Sequence, residues 1–526
     1  MKISRTWRGL AVAACLWLHS LTFASAQPTL DQTITVEQFQ VQGMKTLDTQ
    51  LAQDVLQEYL GKPLTFTGLE KAAQAVAELY RAHDYFTVSA YLPKQELQDG
   101  RVTIKVVESP LGELKVDGNT RYSTDYINWM LKPVKGEGGL PKRSQLQRQL
   151  LLLSDNMDLE ARSFVRKGSS DGTVDLMVEV EDDLPTHLSF DYNNLGARSS
   201  GRNRLGATFE WGNLTDRADV LTLRYVESDL LNADTNGLDL FSLNYRAPLN
   251  NQGTHFNFSY ANSAFQAGQE LQILDIRGDA DVFSLMVDHP ILRGTEANLW
   301  VEGGFVFQDI ENTILGTQLS RDRLRELVVG LRGDWTCYRG RNFGGIKLTH
   351  DLGEALGGLP SNDPFSSRQA GGGFTKVNLD LGRVQRFNEE LYAIFRGHHQ
   401  AASNPLPFAE QYGLGGINTV RGYVQSAYLA DSGYNLNAEL RWAPWKKYRD
   451  NFELGFFYDH GGAYLKRPFP GEVENVHLNG AGMGVHLKLP HDVNVRAEVG
   501  VPLSNNEITR RDGKNAVPYL IFNKRF

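Results

Sequence analysis

Phe452-Glu453-Leu454-Gly455-Phe456-Phe457-Tyr458-Asp459, read two residues at a time, sorts Phe452, Leu454, Phe456 and Tyr458 from Glu453, Gly455, Phe457 and Asp459. Ala481, Met483, Val485, Leu487 and Leu489 repeat the beat against mostly glycine and polar partners. Successive strand side chains point to opposite faces, so each segment has one oily and one wetter face. Working outward, the same period recurs in some sixteen segments of about 9–11 residues up to Phe526, the pattern of a transmembrane antiparallel β-barrel.

The 526 residues carry 22% charged side chains and a formal net charge of −8. This average resembles a soluble protein because a barrel hides its apolar signal in every second residue; no window reaches the run of about 18 apolar residues that marks a spanning helix. The acidic balance argues against nucleic acid as a partner. Compact turns such as Gly212 to Asp219, Val384 to Glu390, Ala443 to Asp450 and Pro490 to Asp492 follow even-numbered strands. Longer stretches, among them Ala264 to Ala280, Gln308 to Arg325, Leu352 to Phe374 and Gln400 to Gly433, follow most odd-numbered ones. The alternation predicts periplasmic turns, extracellular loops and both barrel termini in the periplasm.

Lys2, Arg5 and Arg8 precede an apolar run from about Gly9 to Leu18, and Ala24-Ser25-Ala26 offers a small-residue cleavage pattern, so residues 1–26 read as a secretory signal peptide. Val12-Ala13-Ala14-Cys15 resembles a lipoprotein processing site, but the apolar run continues past Cys15. With Cys15 removed, Cys337 has no disulfide partner in the chain.

Between signal and barrel lies an internal repeat. Residues 27–108 read as a strand (Thr33 to Val41), Gly43, two helices (about Asp48 to Leu60 and Thr67 to Ala82) and two strands (Phe86 to Leu92, Val102 to Val107). Residues 109–183 repeat the order, with Gly118 after Leu114 to Asp117, helices near Ser123 to Leu131 and Pro141 to Ser154, and strands Leu159 to Arg166 and Thr173 to Glu181. The barrel occupies residues 184–526. The order β-α-α-β-β, twice, makes two small α+β modules with exposed edge strands. Placed before an outer-membrane barrel it resembles a pair of POTRA domains; an unrelated ferredoxin-like pair is the competing reading. Lys132, Lys135, Lys142, Arg143 and Arg148 read as a solvated basic face.

The longest loop, 400–433, holds Gly413-Leu414-Gly415-Gly416, then Val420-Arg421-Gly422-Tyr423. That glycine density permits a hairpin folded tightly enough to enter the lumen. Arg421 needs an anion, and strand parity turns Asp459 and Gly461 inward, opposite Phe456 and Tyr458. A two-pronged pair of Arg421 with Asp459 is therefore expected to hold the loop as a plug.

With these residues the chain resembles the two-partner secretion transporters, the TpsB family of haemolysin secretion/activation proteins, within the POTRA-bearing barrel superfamily. Val420-Arg421-Gly422-Tyr423 matches the family's lumen-loop motif, and Phe457, Asp459 and Gly461 match its Phe-x-Asp-x-Gly strand. The resemblance implies two periplasmic POTRA domains and a sixteen-stranded barrel in the bacterial outer membrane. It implies export of one large unfolded exoprotein, an adhesin, cytolysin or contact-dependent toxin. The last strand, with Leu520, Phe522 and Phe526 on one face, resembles the aromatic-terminated signal read by the barrel assembly machinery; Lys524 on that face departs from the pattern. Some members thread an additional N-terminal helix through the barrel. About seven residues between Gln27 and the first strand are too few for this at 1.5 Å per residue, so the loops are expected to close the pore.

No phosphate-binding glycine loop follows a strand, so ATP-driven pumping is not expected. His398-His399 are adjacent strand residues facing opposite ways, a poor joint metal site. Nothing pairs acids in a pocket, so no enzyme, cofactor or metal is expected. The other expected partners are outer-membrane lipids, and the expected state is a monomer. A barrel-insertion factor and a passive porin are the alternatives.

Overall fold

The computed structural model describes residues 33–96, 99–135, 139–197, 200–228, 237–505 and 515–526; the signal-peptide reading and Cys15 lie outside them. The chain divides into two compact units between Glu108 and Ser109.

In the first unit, helices Thr49–Leu56 and Phe66–Ala82 are capped by Asp48, which accepts from the Gln50 amide at 2.9 Å, and by Thr65, which accepts from Gly68 at 3.3 Å. The longer helix buries Leu69, Ala72, Ala73, Val76, Ala77 and Tyr80 at helical spacing. They pack over a three-stranded sheet whose centre, Arg101–Glu108, runs parallel to Gln38–Gln42 and antiparallel to Val88–Tyr91.

The second unit opens with a module of the same design. Strands Leu111–Asp117 and Leu159–Lys167 flank Val174–Asp182, again one parallel and one antiparallel, under helices Thr124–Leu131 and Arg143–Leu153. The repeat reaches single atoms. Gly43 and Gly118 hold φ 95° and 93°, and a Cβ on either would stand 2.2 Å from the Val106 carbonyl oxygen or 2.5 Å from that of Val180. Two residues after each valine comes an acid. Glu108 accepts from the amides of Lys45 (2.8 Å) and Thr46 (2.9 Å), and Asp182 from those of Thr120 (2.8 Å), Arg121 (2.6 Å) and Tyr122 (3.0 Å). Burial works against ionisation of Asp182, but the Thr120 hydroxyl and these amides overcome it and hold the carboxyl below its ordinary range. Glu108 is likewise depressed: burial is overcome by Tyr80, the amides and the Thr46 hydroxyl.

Sixteen strands, each paired with its sequence neighbour, close into a barrel when Val517–Arg525 pairs with Thr186–Asn193. All sixteen fall where the two-residue period places them. Phe456, Tyr458 and Met483 face outward, while Phe457, Asp459 and Glu498 are buried inside. Trp211, Trp335 and Trp442 are exposed at the short-turn ends of their strands, the place of an interfacial aromatic belt.

The strands Arg277–Arg293, Ala297–Ile314 and Thr317–Cys337 outrun their expected lengths. Most of the expected loop Gln308 to Arg325 is a paired hairpin turning at Leu315-Gly316, both with positive φ. Asp309, Glu311 and Asn312, with Ser320 to Arg323, continue the ladder with polar residues on both faces, Ile310 being the one apolar side chain among them, because beyond the hydrocarbon no side needs to be oily. Of the basic residues of the second module, Lys132, Lys135, Lys142 and Arg143 are exposed as expected, and Arg148 differs. Arg148 is part-buried and donates to the carbonyls of Gln252 (3.0 Å) and Pro290 (2.7 Å), while Asp155 pairs with Arg293 (2.6 Å). Arg148 and Asp155 thus tie the module to the barrel rim.

Candidate functional site

The loop after strand Leu391–Ala402 folds into a hairpin, Tyr412–Leu414 pairing with Tyr428–Ala430. Tyr412, Leu414, Val420 and Tyr423 pack on Ala463, Val476 and Leu478 of the wall, so an apolar core carries the hairpin. Asp431, fully buried, fixes its base by accepting from the amides of Leu406 and Lys466, each at 2.7 Å. His398 and His399 do face opposite ways, and His398 stacks on Tyr412 with ring centres 5.7 Å apart.

At the tip, Arg421 is 3% exposed and Asp459 0%. Arg421 donates from Nε (2.7 Å) and Nη2 (2.9 Å) to the two oxygens of Asp459, and its backbone amide adds a third bond at 3.1 Å. Nη1 reaches Glu439 at 2.9 Å and Glu498 at 3.2 Å, and the guanidinium carbon lies 3.4 Å over the Phe457 ring. Asn437 ties the tip to the wall by donating to Asp459 (2.8 Å) and the Thr419 carbonyl (2.5 Å).

Bare backbone in the wall admits this approach. A Cβ at Gly480 would stand 1.8 Å from the Arg421 carbonyl oxygen, and one at Gly461 would meet Leu414 at 2.7 Å and Val420 at 3.0 Å. Gly422 (φ 105°) turns the chain so that its amide donates to the Tyr519 hydroxyl at 2.9 Å, which donates onward to the Tyr423 carbonyl at 2.7 Å. Tyr423 donates to the Asn479 carbonyl at 3.0 Å. The structure thus brings together Val420, Arg421, Gly422, Tyr423, Phe457, Asp459 and Gly461.

Phe522 and Phe526 lie elsewhere, outward on the closing strand, with Phe526 packed edge-on against Phe190. Lys524 bends its ammonium to the His491 carbonyl and over the Phe526 ring.

Sequence reading missed Glu439, Glu498, Asn437 and Tyr519. Parity carried the signal: each faces inward beside the outward Leu440, Val499, Leu436 and Leu520. Glu439, His486 and Glu498 offer possible metal-ligand atoms within 4.8 Å of one another. Their carboxylate oxygens all face guanidinium groups of Arg421, Arg441 or Arg496, so the cluster is an ion-pair network.

The family model described as haemolysin secretion/activation protein ShlB/FhaC/HecB matches residues 172–487, more than half of the chain. The chain belongs to this haemolysin secretion/activation family. A ShlB-type POTRA domain matches residues 34–109, the first module. The heme/hemopexin transporter protein HuxB of Haemophilus influenzae is 22% identical over 465 residues, covering 86% of this chain and 80% of its own. The outer membrane transporter CdiB of Escherichia coli is 22% identical over 428 residues, covering 78% and 69%. The solved structure of CdiB from Escherichia coli superposes with a TM-score of 0.76 at 19% identity over 96% of this chain and 93% of that one. BamA from Haemophilus ducreyi lacking POTRA domains 1–3 shares the fold at a TM-score of 0.57 and 13% identity, over 94% and 100%. As a member of this family the protein is an outer-membrane transporter of a secreted partner protein, with its POTRA region in the periplasm. Family membership favours secretion over the insertion-factor and porin readings.

Proposed function

We propose that the hairpin bearing Val420-Arg421-Gly422-Tyr423 is the resting lock of a polypeptide-export pore, and that the exported chain opens the pore by displacing it. The observation that carries this is the buried two-pronged Arg421–Asp459 pair, which ties a loop to the inner wall instead of tying wall to wall. A buried pair of this kind adds little net stability over apolar packing, yet removing one partner costs about 3–5 kcal/mol, which suits a registry device.

In this reading residues 1–26 are removed on export, and residues 27–108 and 109–183 act as two POTRA domains. The sheet edges Gln38–Gln42, Val88–Tyr91 and Leu159–Lys167 offer unpaired backbone to an extended adhesin, cytolysin or contact-dependent toxin. Folding of the emerged segment outside opposes return, so no nucleotide is needed. The transporter works as a monomer embedded in outer-membrane lipids, after the assembly machinery has read the strand bearing Phe522 and Phe526.

Arg421→Ala and Asp459→Ala are expected to impair secretion while leaving the barrel inserted. Normal secretion in both removes the lock. Deleting residues 33–108 is expected to abolish export of the partner and leave a conducting barrel in planar bilayers; continued export by that variant removes the recognition role.

A further inference from the structure

The lipid-facing wall carries a guanidinium whose bonding partners are all uncharged. Arg383 shares the outward parity of Leu379 and Leu381, opposite to that of Asp380, which meets His398 inside the lumen at 2.7 Å. Its Nε donates to the Gln385 side chain at 3.0 Å, Nη1 to that of Asn342 at 2.7 Å, and Nη2 to the Cys337 carbonyl at 3.3 Å and again to Gln385. A guanidinium has five N–H groups, and four are used. The second Nη1 proton has no acceptor among the described residues, and the positive charge has no counter-charge.

Beside Arg383 the outer wall is concave. A groove of about 720 Å³ runs from Arg383 past Trp335, Leu381, Phe395, Leu436 and Tyr458, over a floor kept low by the outward-facing Gly397 and Ala438. Register puts the row on one face: Trp335 opposite Asn342, Asn342 opposite Arg383, Arg383 opposite Phe395, Phe395 opposite Ala438, and Ala438 opposite Tyr458. The row also climbs. Counted from the short-turn ends of their strands, Trp335 stands two residues in, Arg383 three, Phe395 and Ala438 four, and Tyr458 six. At about 3.4 Å per residue Arg383 lies about 10 Å along its strand from the periplasmic rim, and Tyr458 about 20 Å along its own. One end of the groove is thus at headgroup depth beside the aromatic belt, and the other is in the hydrocarbon.

We propose that this groove holds one glycerophospholipid of the periplasmic leaflet, its phosphate received by Arg383 and an acyl chain laid over Gly397 and Ala438 between Phe395 and Leu436. The inference rests on the barrel's place in outer-membrane lipid and is independent of the Arg421 lock. Phosphate supplies both things Arg383 lacks, an acceptor for the unused proton and a negative charge. The slant of the groove matches a molecule that is anionic at one end and oily at the other. Depth selects the lipid, because the short-turn side faces the periplasmic leaflet.

Full-length protein in nanodiscs of phosphatidylglycerol tests this by native mass spectrometry, at activation that strips loosely held lipid. One phosphatidylglycerol is expected to stay on the wild type. Arg383→Gln removes the charge, and Ala438→Leu fills the floor with the charge intact; each is expected to lower that occupancy several-fold. Arg383→Lys is expected to keep most of it, and Arg449→Gln, which removes an exposed charge from a turn at the same rim, to leave it unchanged. Heat-modifiable gel mobility reports that each barrel is folded. A wild type stripped bare, or equal occupancy in Arg383→Gln, overturns the site. Loss in Arg383→Gln with full occupancy in Ala438→Leu leaves headgroup attraction alone and overturns the groove, and equal loss in Arg449→Gln marks unspecific charge binding and overturns both. A folded wild type that does not enter nanodiscs removes the lipid-embedded reading itself.

Discussion

Carboxylates anchor loops in two parts of this molecule, and they do so in different ways. In the α+β modules Glu108 and Asp182 gather the backbone amides of a turn near the surface. In the barrel Asp459, out of contact with solvent, holds a guanidinium that Glu439 and Glu498 also share. The surface clamp satisfies donors that water would otherwise serve, so opening it is cheap and local. The buried lock leaves a charge without a partner when it opens, so opening needs a substitute. A permanent turn suits the first chemistry and a gated hairpin the second.

The largest break in that comparison comes from Arg421→Ala. It strands Asp459 in the lumen, while Glu439 and Glu498 keep Arg441 and Arg496, and loss of about 3–5 kcal/mol of hairpin anchoring is expected. Cysteine-accessibility labelling on the hairpin, with single-channel recording, reads the release; an unlabelled, closed hairpin breaks the comparison. Gly480→Ala changes no charge and puts a methyl 1.8 Å from the Arg421 carbonyl oxygen, so partial unseating with all acids in place is expected. If it gates like wild type, close backbone approach is not part of the lock.

Asp182→Asn leaves a weaker acceptor for three amides, and a loss on the order of 1–3 kcal/mol, confined to the second module, is expected. Faster hydrogen exchange at residues 120–122 without altered conductance is the expected reading. The smallest effect is that of acid. Both clamp carboxyls are held below their ordinary values of 4.5 for Glu108 and 3.8 for Asp182, so their stabilisation is complete above those values. It is lost as pH falls through the lower folded values. Amide exchange in both turns, corrected for its intrinsic pH dependence, should show constant protection from pH 7 to about 5 and loosening below about 4. Loosening already at pH 6 points to another group.

Legibility followed how local each determinant was. All sixteen strands could be read because every one must be oily on alternate residues to face lipid. The outer halves of Ala297–Ile314 and Thr317–Cys337 could not, because past the membrane the ladder continues without that requirement. Arg421 and Asp459 could be paired because one lies in an oddly glycine-rich loop and the other on an inward parity. Glu439 and Glu498 had the parity without the loop, and nothing local told which inward acids the hairpin would reach. Arg148 looked solvated for a similar reason: its partners, the Gln252 and Pro290 carbonyls, are backbone groups more than a hundred positions away.

The sequence by itself determined the closed cylinder, the doubled β-α-α-β-β module and the cation that seeks an acid. Period, parity and glycine spacing are properties of neighbouring residues. Only the tertiary structure decided that Arg421 is shared by three carboxylates, that Tyr519 latches the tip from the last strand, and that the second module is bolted to the rim. Those contacts join a loop or a helix to strands and turns far away in the chain, and such a meeting is not a property of any one segment.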